Sequence, residues 1–153
     1  MKPATQAVMF SRASDDWGTP PDLFAELDRE FGFQIDLAAN AANALCPCWY
    51  GPDSPFPDAL ATDWPVAACW LNPPYSLARE FVAKAAKAAQ QGSTVVVLLP
   101  SRTDTRWWHE YVWDRQTHRP RTGVETRFLK GRLKFNGAPA GAPFPSVVVV
   151  FHG

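Results

Sequence analysis

The most constraining stretch of the chain is residues 71–75, Leu-Asn-Pro-Pro-Tyr, which directly follows the apolar run at residues 66–70. Proline fixes φ and carries no backbone N–H, and the residue before a proline is pushed into extended conformations. The pattern therefore predicts a short buried strand that ends in a rigid, non-helical loop. In that loop the side-chain oxygen of Asn72 and nearby backbone carbonyls are acceptors, and Tyr75 presents an aromatic face.

This loop suits a planar amino group that donates hydrogen bonds while its ring lies on an aromatic side chain. The exocyclic amine of a nucleic-acid base is a group of that kind. The alternative is a proline-rich turn after a core strand, with Tyr75 as ordinary hydrophobic surface, because Asn-Pro is a common turn starter. Residues 72–75 alone do not decide between these interpretations.

Composition limits the class of protein. The chain has 153 residues, 46% of them apolar and 20% charged, which predicts one globular domain with its own core. No stretch approaches the roughly 18 apolar residues of a membrane span, and residues 1–10 lack the apolar core of a secretory signal. We therefore expect no membrane association. The chain has three cysteines, Cys46, Cys48 and Cys69, which indicate free thiols in a reducing compartment. Their spacing is not that of a zinc site, so we expect no metal site.

Charge is distributed unevenly along the chain. Residues 1–76 hold three Lys/Arg against ten Asp/Glu, whereas residues 77–153 hold twelve against five. Nine of the basic residues lie within 102–134, where tryptophan, tyrosine and phenylalanine interleave with them. Such a stretch favours contact with a polyanion, and the interleaved aromatics favour nucleic acid. Ordinary solvated surface charge is the alternative.

The order of elements predicts an α/β fold. Residues 1–16 read as a flexible N-terminal arm, and residues 17–153 as one domain. Two amphipathic helices are predicted, one over 20–31 with Thr19 as N-cap, and one from the cap Ser76 to about residue 91. Strands are predicted at 33–37, 66–71, 94–99, 125–129 and 146–151, with a Trp-rich helix after 105, a flexible basic loop at 114–123 and hairpin character at 131–137. Strands that alternate with helices and then occur alone predict a mixed sheet with an antiparallel C-terminal part.

Binding loops in such sheets lie at the carboxyl ends of strands. Three loops qualify, after Asp36, at 72–75 and at 101–104, and they converge if their strands are neighbours. Asp36 is placed either to bind ligand hydroxyls or to cap the turn that follows it. The chain contains no dinucleotide fingerprint, no phosphate-cradling P-loop and no nucleophile elbow.

An ordered set of segments resembles the phage-type DNA N6-adenine methyltransferases. The segments are Trp-Gly-Thr-Pro at 17–20, Phe-x-x-Asp-x-Ala-Ala at 33–39, Asp-Trp at 63–64, Trp-Leu-Asn-Pro-Pro-Tyr-Ser at 70–76, Leu-Pro-Ser-Arg-Thr-Asp-Thr at 99–105, Gly-Arg-Leu-Lys-Phe at 131–135 and Ala-Pro-Phe at 142–144. Asn-Pro-Pro-Tyr also occurs in RNA and protein amide methyltransferases, so the ordered set is more specific than that motif. The resemblance covers about residues 15–151.

The resemblance implies a single-domain, Rossmann-like, S-adenosylmethionine-dependent methyltransferase fold. S-adenosylmethionine would be the methyl donor, and adenine in double-stranded DNA the acceptor, flipped out of the duplex. The catalytic residues would be Asn72, Pro73, Pro74 and Tyr75, with Asn72 and the Pro73 carbonyl on the adenine N6 amine and Tyr75 stacked on the ring. Family analogy also implies a phage- or prophage-encoded protein in the cytoplasm of a bacterial host.

The same resemblance implies two further groups of site residues. The donor pocket would include Trp17, Thr19, Pro20, Asp36, Ala38 and Asp63. DNA phosphates or base edges would be contacted by Arg102, Arg106, Arg132, Lys134 and Phe135. The basic loops in 101–145 would face DNA, and sequence preference would come from them or from a second subunit, so a homodimer is one expectation.

Two alternatives stay open from the sequence. The same chemistry could act on RNA or on a protein glutamine. A non-catalytic nucleic-acid-binding module of methyltransferase fold is the second alternative, because residues 36–40 contain no glycine where methyltransferases at large carry a glycine-rich turn.

Overall fold

The structure is a computed structural model that describes residues 17–153, so the predicted N-terminal arm lies outside the described residues. The helices are α1 (Pro21–Phe31) and α2 (Ala78–Gln90), with a 3₁₀ turn at Tyr75–Leu77 and a π-helical turn at Trp108–Val112. The strands are β1 (Ile35–Asp36), β2 (Cys48–Trp49), β3 (Ala68–Leu71), β4 (Thr94–Pro100), β5 (Trp113–Asp114), β6 (Arg119–Pro120), β7 (Val124–Phe128) and β8 (Ser146–Phe151).

Six strands form one mixed sheet in the order β2-β1-β3-β4-β8-β7. The four strands from β2 to β4 are parallel, and β8 runs antiparallel to both β4 and β7. This arrangement confirms the predicted α/β fold with an antiparallel C-terminal part. The two longest strands, β4 and β8, lie side by side within the sheet and are runs of mostly buried, mostly β-branched residues, as expected where both faces of a sheet are covered.

Helices cover both faces of the sheet. Along β4, Val95 and Val97 belong to the core that α2 and the Trp108 segment cover, whereas Val96 belongs to the core beneath α1. This alternation is the two-residue period of a strand. α1 ends at Gly32, which adopts the left-handed conformation with φ +64, as predicted. None of the helices within 17–153 is long and apolar enough to cross a membrane.

The predicted helix caps were wrong. α1 begins after Pro20 without any side-chain cap, because the hydroxyl of Thr19 accepts a hydrogen bond from Asn72 instead. α2 also lacks a side-chain cap, since the 3₁₀ turn at Tyr75–Leu77 comes before it and includes Ser76. Both predicted caps therefore lie in the loops that surround the candidate site.

Two loop predictions also differ from the structure. Residues 114–123 contain part of an ordered hairpin, in which β5 pairs antiparallel with β6. Residues 131–137 do not pair with one another, because the partner of Asn136 is Gly18 in an isolated antiparallel bridge. This bridge ties the loop after β7 to the segment before α1, a pairing that local sequence patterns do not reveal.

Candidate active site

The carboxyl ends of β1, β3 and β4 meet at one edge of the sheet, and their loops surround two cavities. The larger cavity, about 850 Å³, lies between the Asp36 loop, the Asn72 loop and residues 50–60. The smaller one, about 390 Å³, lies between Tyr75, Arg102 and Phe144. Trp17 and Ser76 line both cavities, so the loop after β3 separates them. Convergence of the three predicted loops is therefore a property of the structure.

The side chain of Asn72 is held in one orientation. Its amide nitrogen donates to the backbone carbonyl of Trp17 and, at 3.0 Å, to the hydroxyl of Thr19. The amide oxygen Oδ1 is buried and has no hydrogen-bond partner among residues 17–153. Because a buried acceptor without a partner costs free energy, this oxygen is available for a ligand donor. Asn72 and Pro74 line the larger cavity, whereas Pro73 is buried behind them.

Four of the nine described residues that line the smaller cavity are aromatic. Tyr75 packs edge-to-face on Phe144 with ring centroids 5.6 Å apart, and Trp17 and Trp107 complete the wall. The phenol oxygen of Tyr75 is buried and has no hydrogen-bond partner in the part of the chain that the structure describes, and burial raises the pKa of this phenol well above its usual value. Tyr75 is therefore neutral at physiological pH and acts as an aromatic wall and not as a base. Flat aromatic walls suit a planar ring.

Asp36 ends β1 and is 2% exposed. Burial raises the pKa of its carboxyl to about 6, and the backbone N–H groups of Leu45 and Ala38, at 3.0 and 3.3 Å, oppose that shift. The two carboxylate oxygens thus accept one backbone bond each, which shapes the loop that follows β1. Asp36 and Ala38 both line the larger cavity. Asp36 can therefore accept hydrogen bonds from the turn that follows it and also lie next to a ligand, so the two predicted roles are compatible.

The loop after β1 has no glycine, and its close packing is provided by a glycine on a neighbouring segment. Ala39 donates to the carbonyl of Tyr50, and Tyr50 donates to the carbonyl of Asp36. Gly51, at φ +144, follows Tyr50, and a Cβ on it would lie 1.8 Å from the carbonyl oxygen of Ala39. The close approach thus requires glycine at position 51.

The other predicted donor-pocket residues are placed differently from one another. Trp17 and Thr19 line the larger cavity, but Pro20 and Asp63 are not among its lining residues, and Asp63 is exposed. The acidic residue that lines the larger cavity near this part of the chain is Asp58. Further lining residues that the sequence reasoning did not single out are Asn40, Asn43, Tyr50, Leu77 and Phe81. The sequence gives little indication that these residues line a cavity, because they lie on irregular segments or on a helix face that also packs in the core.

The residues predicted to contact nucleic acid fall into two groups, exposed and buried. Arg102 lines the smaller cavity, and Arg106, Arg132 and Lys134 are exposed on the loops and helix start around it. Phe135 is 2% exposed, with its ring centroid 5.2 Å from that of Trp17, so it lies in the core under the site. A contact between this ring and nucleic acid does not fit its burial, since its apolar surface is already covered by Trp17 and Phe144.

The cysteines take no part in either cavity wall. Cys46 and Cys69 are buried free thiols, and burial raises the pKa of each to about 12, with the Asp36 carboxylate a further cause at Cys46. Protonated thiols of this kind are unreactive. Over the described range, no cluster of three His, Cys, Asp or Glu side chains could hold a metal ion.

With this geometry established, comparison with known proteins identifies the family. Residues 6–146 match the family model described as DNA N-6-adenine-methyltransferase (Dam). The chain belongs to the Dam family. This assignment confirms the resemblance that the seven ordered segments carried.

Two phage relatives of the Dam family match the chain. A DNA N-6-adenine-methyltransferase of Escherichia phage T1 is 33% identical over 98 residues, 63% of this chain and 40% of that protein. A DNA N-6-adenine-methyltransferase of Haemophilus phage HP1 (strain HP1c1) is 32% identical over 97 residues, 61% of this chain and 54% of that protein. The matched regions thus span about half or less of these relatives.

A solved structure supports the fold of this Dam-family chain. The 23S rRNA methyltransferase ErmE superposes with a TM-score of 0.57 at 12% sequence identity, covering 90% of this chain and 70% of ErmE. At this identity the similarity shows a shared methyltransferase fold and carries no information about substrate.

Proposed function

We propose that this chain is a DNA adenine-N6 methyltransferase, which transfers a methyl group from S-adenosylmethionine to the exocyclic amine of a flipped adenine. Membership of the Dam family supports this proposal. The observation that carries it is the buried amide oxygen of Asn72, which has no hydrogen-bond partner within the described residues and is fixed in the loop between two cavities. An amine that donates to this oxygen would lie where the two cavities meet.

The larger cavity has the chemistry expected for the donor. Its volume of about 850 Å³ is in the range of small-molecule and cofactor sites. Its wall combines the carboxyl groups of Asp36 and Asp58, which suit a cationic ligand, with apolar side chains such as Leu77 and Phe81. These residues fit S-adenosylmethionine, which when bound supplies an electrophilic methyl carbon on a positively charged sulfur.

The smaller cavity has the chemistry expected for the acceptor base. Its aromatic wall, with Tyr75, Trp107 and Phe144, suits a planar purine ring, and Arg102 at its border suits the adjacent phosphate backbone. A base inside a duplex cannot reach such a cavity, so the target adenine would have to leave the helical stack.

The residues of this chain would act mainly by positioning. Asn72 Oδ1 would accept a hydrogen bond from the amine and so hold its nitrogen beside the larger cavity, which Asn72 lines. As positive charge develops on that nitrogen, the dipole of the Asn72 amide stabilises it. Holding the amine nitrogen in line with the methyl carbon would provide much of the remaining rate enhancement. Tyr75 does not remove the proton, because burial raises the pKa of its phenol.

The test is transfer of a labelled methyl group to unmethylated duplex DNA. We predict that Asn72→Ala lowers the transfer rate at least a hundredfold, on the order of the loss seen when one oriented hydrogen bond to a transition state is removed. Donor affinity, measured by calorimetry, should change little. Gln116→Ala is the matched control, since it removes a side-chain amide from an exposed turn of the distant hairpin. Wild-type protein that transfers no methyl, or Asn72→Ala with wild-type activity, would refute the proposal.

Parallel assays with RNA and protein acceptors separate the two alternatives. Transfer to RNA or to a protein glutamine in preference to DNA would replace the proposed substrate. Absence of donor binding in calorimetry would favour a non-catalytic nucleic-acid-binding module. The proposed setting is the cytoplasm of a bacterial host, with double-stranded DNA as partner, and a second subunit is a candidate source of sequence preference.

A further inference from the structure

Thr19 is placed by family resemblance among the donor-binding residues, yet the structure gives its hydroxyl another contact. Thr19 is buried, and its Oγ1 accepts a hydrogen bond of 3.0 Å from Asn72 Nδ2. The second acceptor for the same nitrogen is the backbone carbonyl of Trp17. The two acceptors therefore account for both hydrogens of the Asn72 amide.

The contact with the Trp17 carbonyl decides which end of the amide faces the bound base, and the contact with Thr19 holds the amide in that position. An asparagine side chain presents either an acceptor oxygen or a donor NH₂ group, depending on a rotation of its terminal bond by 180°. In the flipped orientation the oxygen of Asn72 would face the Trp17 carbonyl, which can only accept, whereas the Thr19 hydroxyl can accept or donate. That repulsion disfavours the flip, so Oδ1 stays available to a donor such as an exocyclic amine.

Residues 17–19, which contact the Asn72 amide, are fixed by contacts with the segment around residues 135–144. The carbonyl of Gly18 accepts a hydrogen bond of 2.8 Å from the backbone N–H of Asn136. The ring of Trp17 packs on Phe135 and Phe144 with centroids 5.2 and 5.3 Å apart. Residues 17–19 are thus fixed from two sides, which keeps the carbonyl and the hydroxyl in place to accept from Asn72.

We propose that Thr19 is a positioning residue, which acts with the Trp17 carbonyl to lock the Asn72 amide with its oxygen toward the target amine. This inference rests on the proposed function. It assigns the Thr19 hydroxyl to holding the Asn72 amide in place, while the Trp17 carbonyl sets which end faces the amine, and not to affinity for the methyl donor. A base with a carbonyl at the same position would meet an acceptor and be rejected.

The kinetic test compares Thr19→Val, Thr19→Ser and Thr126→Val. Thr19→Val keeps the branched shape without the oxygen, Thr19→Ser keeps the oxygen, and Thr126→Val makes the same change on the edge strand β7. We expect Thr19→Val to lower kcat about tenfold with donor affinity within twofold of wild type, and Thr19→Ser to retain most of the activity. Thr126→Val should match wild type. If Thr19→Val unfolds, Thr19→Ala removes the same oxygen with a smaller side chain.

Two kinetic outcomes would overturn the proposal. Weaker donor binding with unchanged kcat in Thr19→Val would make Thr19 a donor ligand. Unchanged kcat in Thr19→Val together with a loss in Thr19→Ser would show that packing of the methyl group matters and the hydroxyl does not.

A spectroscopic test is independent of activity. The side-chain NH₂ signals of Asn72 are assigned by their loss in Asn72→Ala, and both protons should exchange slowly with solvent in the wild type. In Thr19→Val one of the two should exchange at least tenfold faster, and unchanged protection of both would overturn the inference. If wild-type protein transfers no methyl group, the proposed function fails and this measurement alone decides the role of Thr19.

Discussion

At the residue scale, Asp36 combines burial with a carboxyl group that two backbone N–H groups orient. Its pKa in the folded protein is about 6, above the value of 3.8 for an unperturbed aspartate. The folded state therefore holds a proton that the unfolded chain releases between these two values. Stability contributed by Asp36 accordingly falls as pH rises from about 4 to 6 and is constant above that range.

We predict that this difference is measurable as a free energy of unfolding. The full shift corresponds to about 3 kcal/mol, because each pKa unit is worth about 1.4 kcal/mol, and about 2 kcal/mol of it falls between pH 4 and pH 7. Urea denaturation of wild type and Asp36→Asn at pH 4, 5, 6 and 7 isolates the contribution of Asp36, since other titrating groups are common to both. The stability of the variant relative to wild type should increase over this range, and a constant difference would contradict the assignment.

The residue scale also shows how far sequence reasoning reaches. Asn72, Tyr75, Thr19 and Asp36 were all identified, because short motifs with proline or an acid at a strand end limit the local backbone. Their partners were not, since Asn72 contacts Thr19 from 53 residues away in the chain. Thr19 was accordingly predicted as a helix cap and donor contact, whereas its hydroxyl accepts from Asn72.

At the element scale, the loop after β1 and the segment after β2 form one hydrogen-bonded unit. Their closest approach is at Gly51 and the carbonyl of Ala39. This unit provides one wall of the larger cavity. It also shows why a loop without glycine can still pack closely on its neighbour.

We predict that Gly51→Ala destabilises the protein by about 3 kcal/mol or more, because the new Cβ would overlap a backbone oxygen. Gly32→Ala is the matched control, since Gly32 also has positive φ but no atom lies near the position of a Cβ. Its cost should be about 1 kcal/mol from backbone strain alone. Urea denaturation measures both, and equal losses would show that the close approach is not needed.

Element by element, prediction succeeded where the hydrophobic pattern was long and uniform. β4 and β8 were identified within one residue, because unbroken apolar β-branched runs are specific to buried strands. β2 was missed since a two-residue strand has no periodicity. The pairing of Asn136 with Gly18 was also missed, because it joins distant segments.

At the scale of the whole molecule, the basic stretch 102–134 divides between two edges of the sheet. β7 starts opposite Phe151, which in turn pairs with Val95 near the start of β4. The hairpin of β5 and β6, which comes just before β7, therefore lies at the edge away from Asn72. Seven residues of β4 separate the two edges, about 20 Å. Arg102, Arg106, Arg132 and Lys134 remain around the smaller cavity.

We predict that the two groups of cations differ in their effect on DNA binding. Arg132→Ala with Lys134→Ala should weaken binding to duplex DNA and reduce the salt dependence of log K by about one per lost phosphate contact. Arg115→Ala with Arg119→Ala on the distant hairpin makes the same change in net charge and should have a much smaller effect. Fluorescence anisotropy across a salt series measures both slopes, and equal slopes would show that DNA contacts the two edges alike.

Trp17 lines both cavities, so under the proposed function one residue would contact both the methyl donor and the acceptor base. A movement of Trp17 caused by one bound ligand would change the shape of the cavity in which the other ligand binds. The two binding equilibria are then thermodynamically linked, and the factor by which the first ligand changes the affinity of the second is the same in either order. Cooperativity between small molecule and macromolecule would thus arise from a single shared side chain.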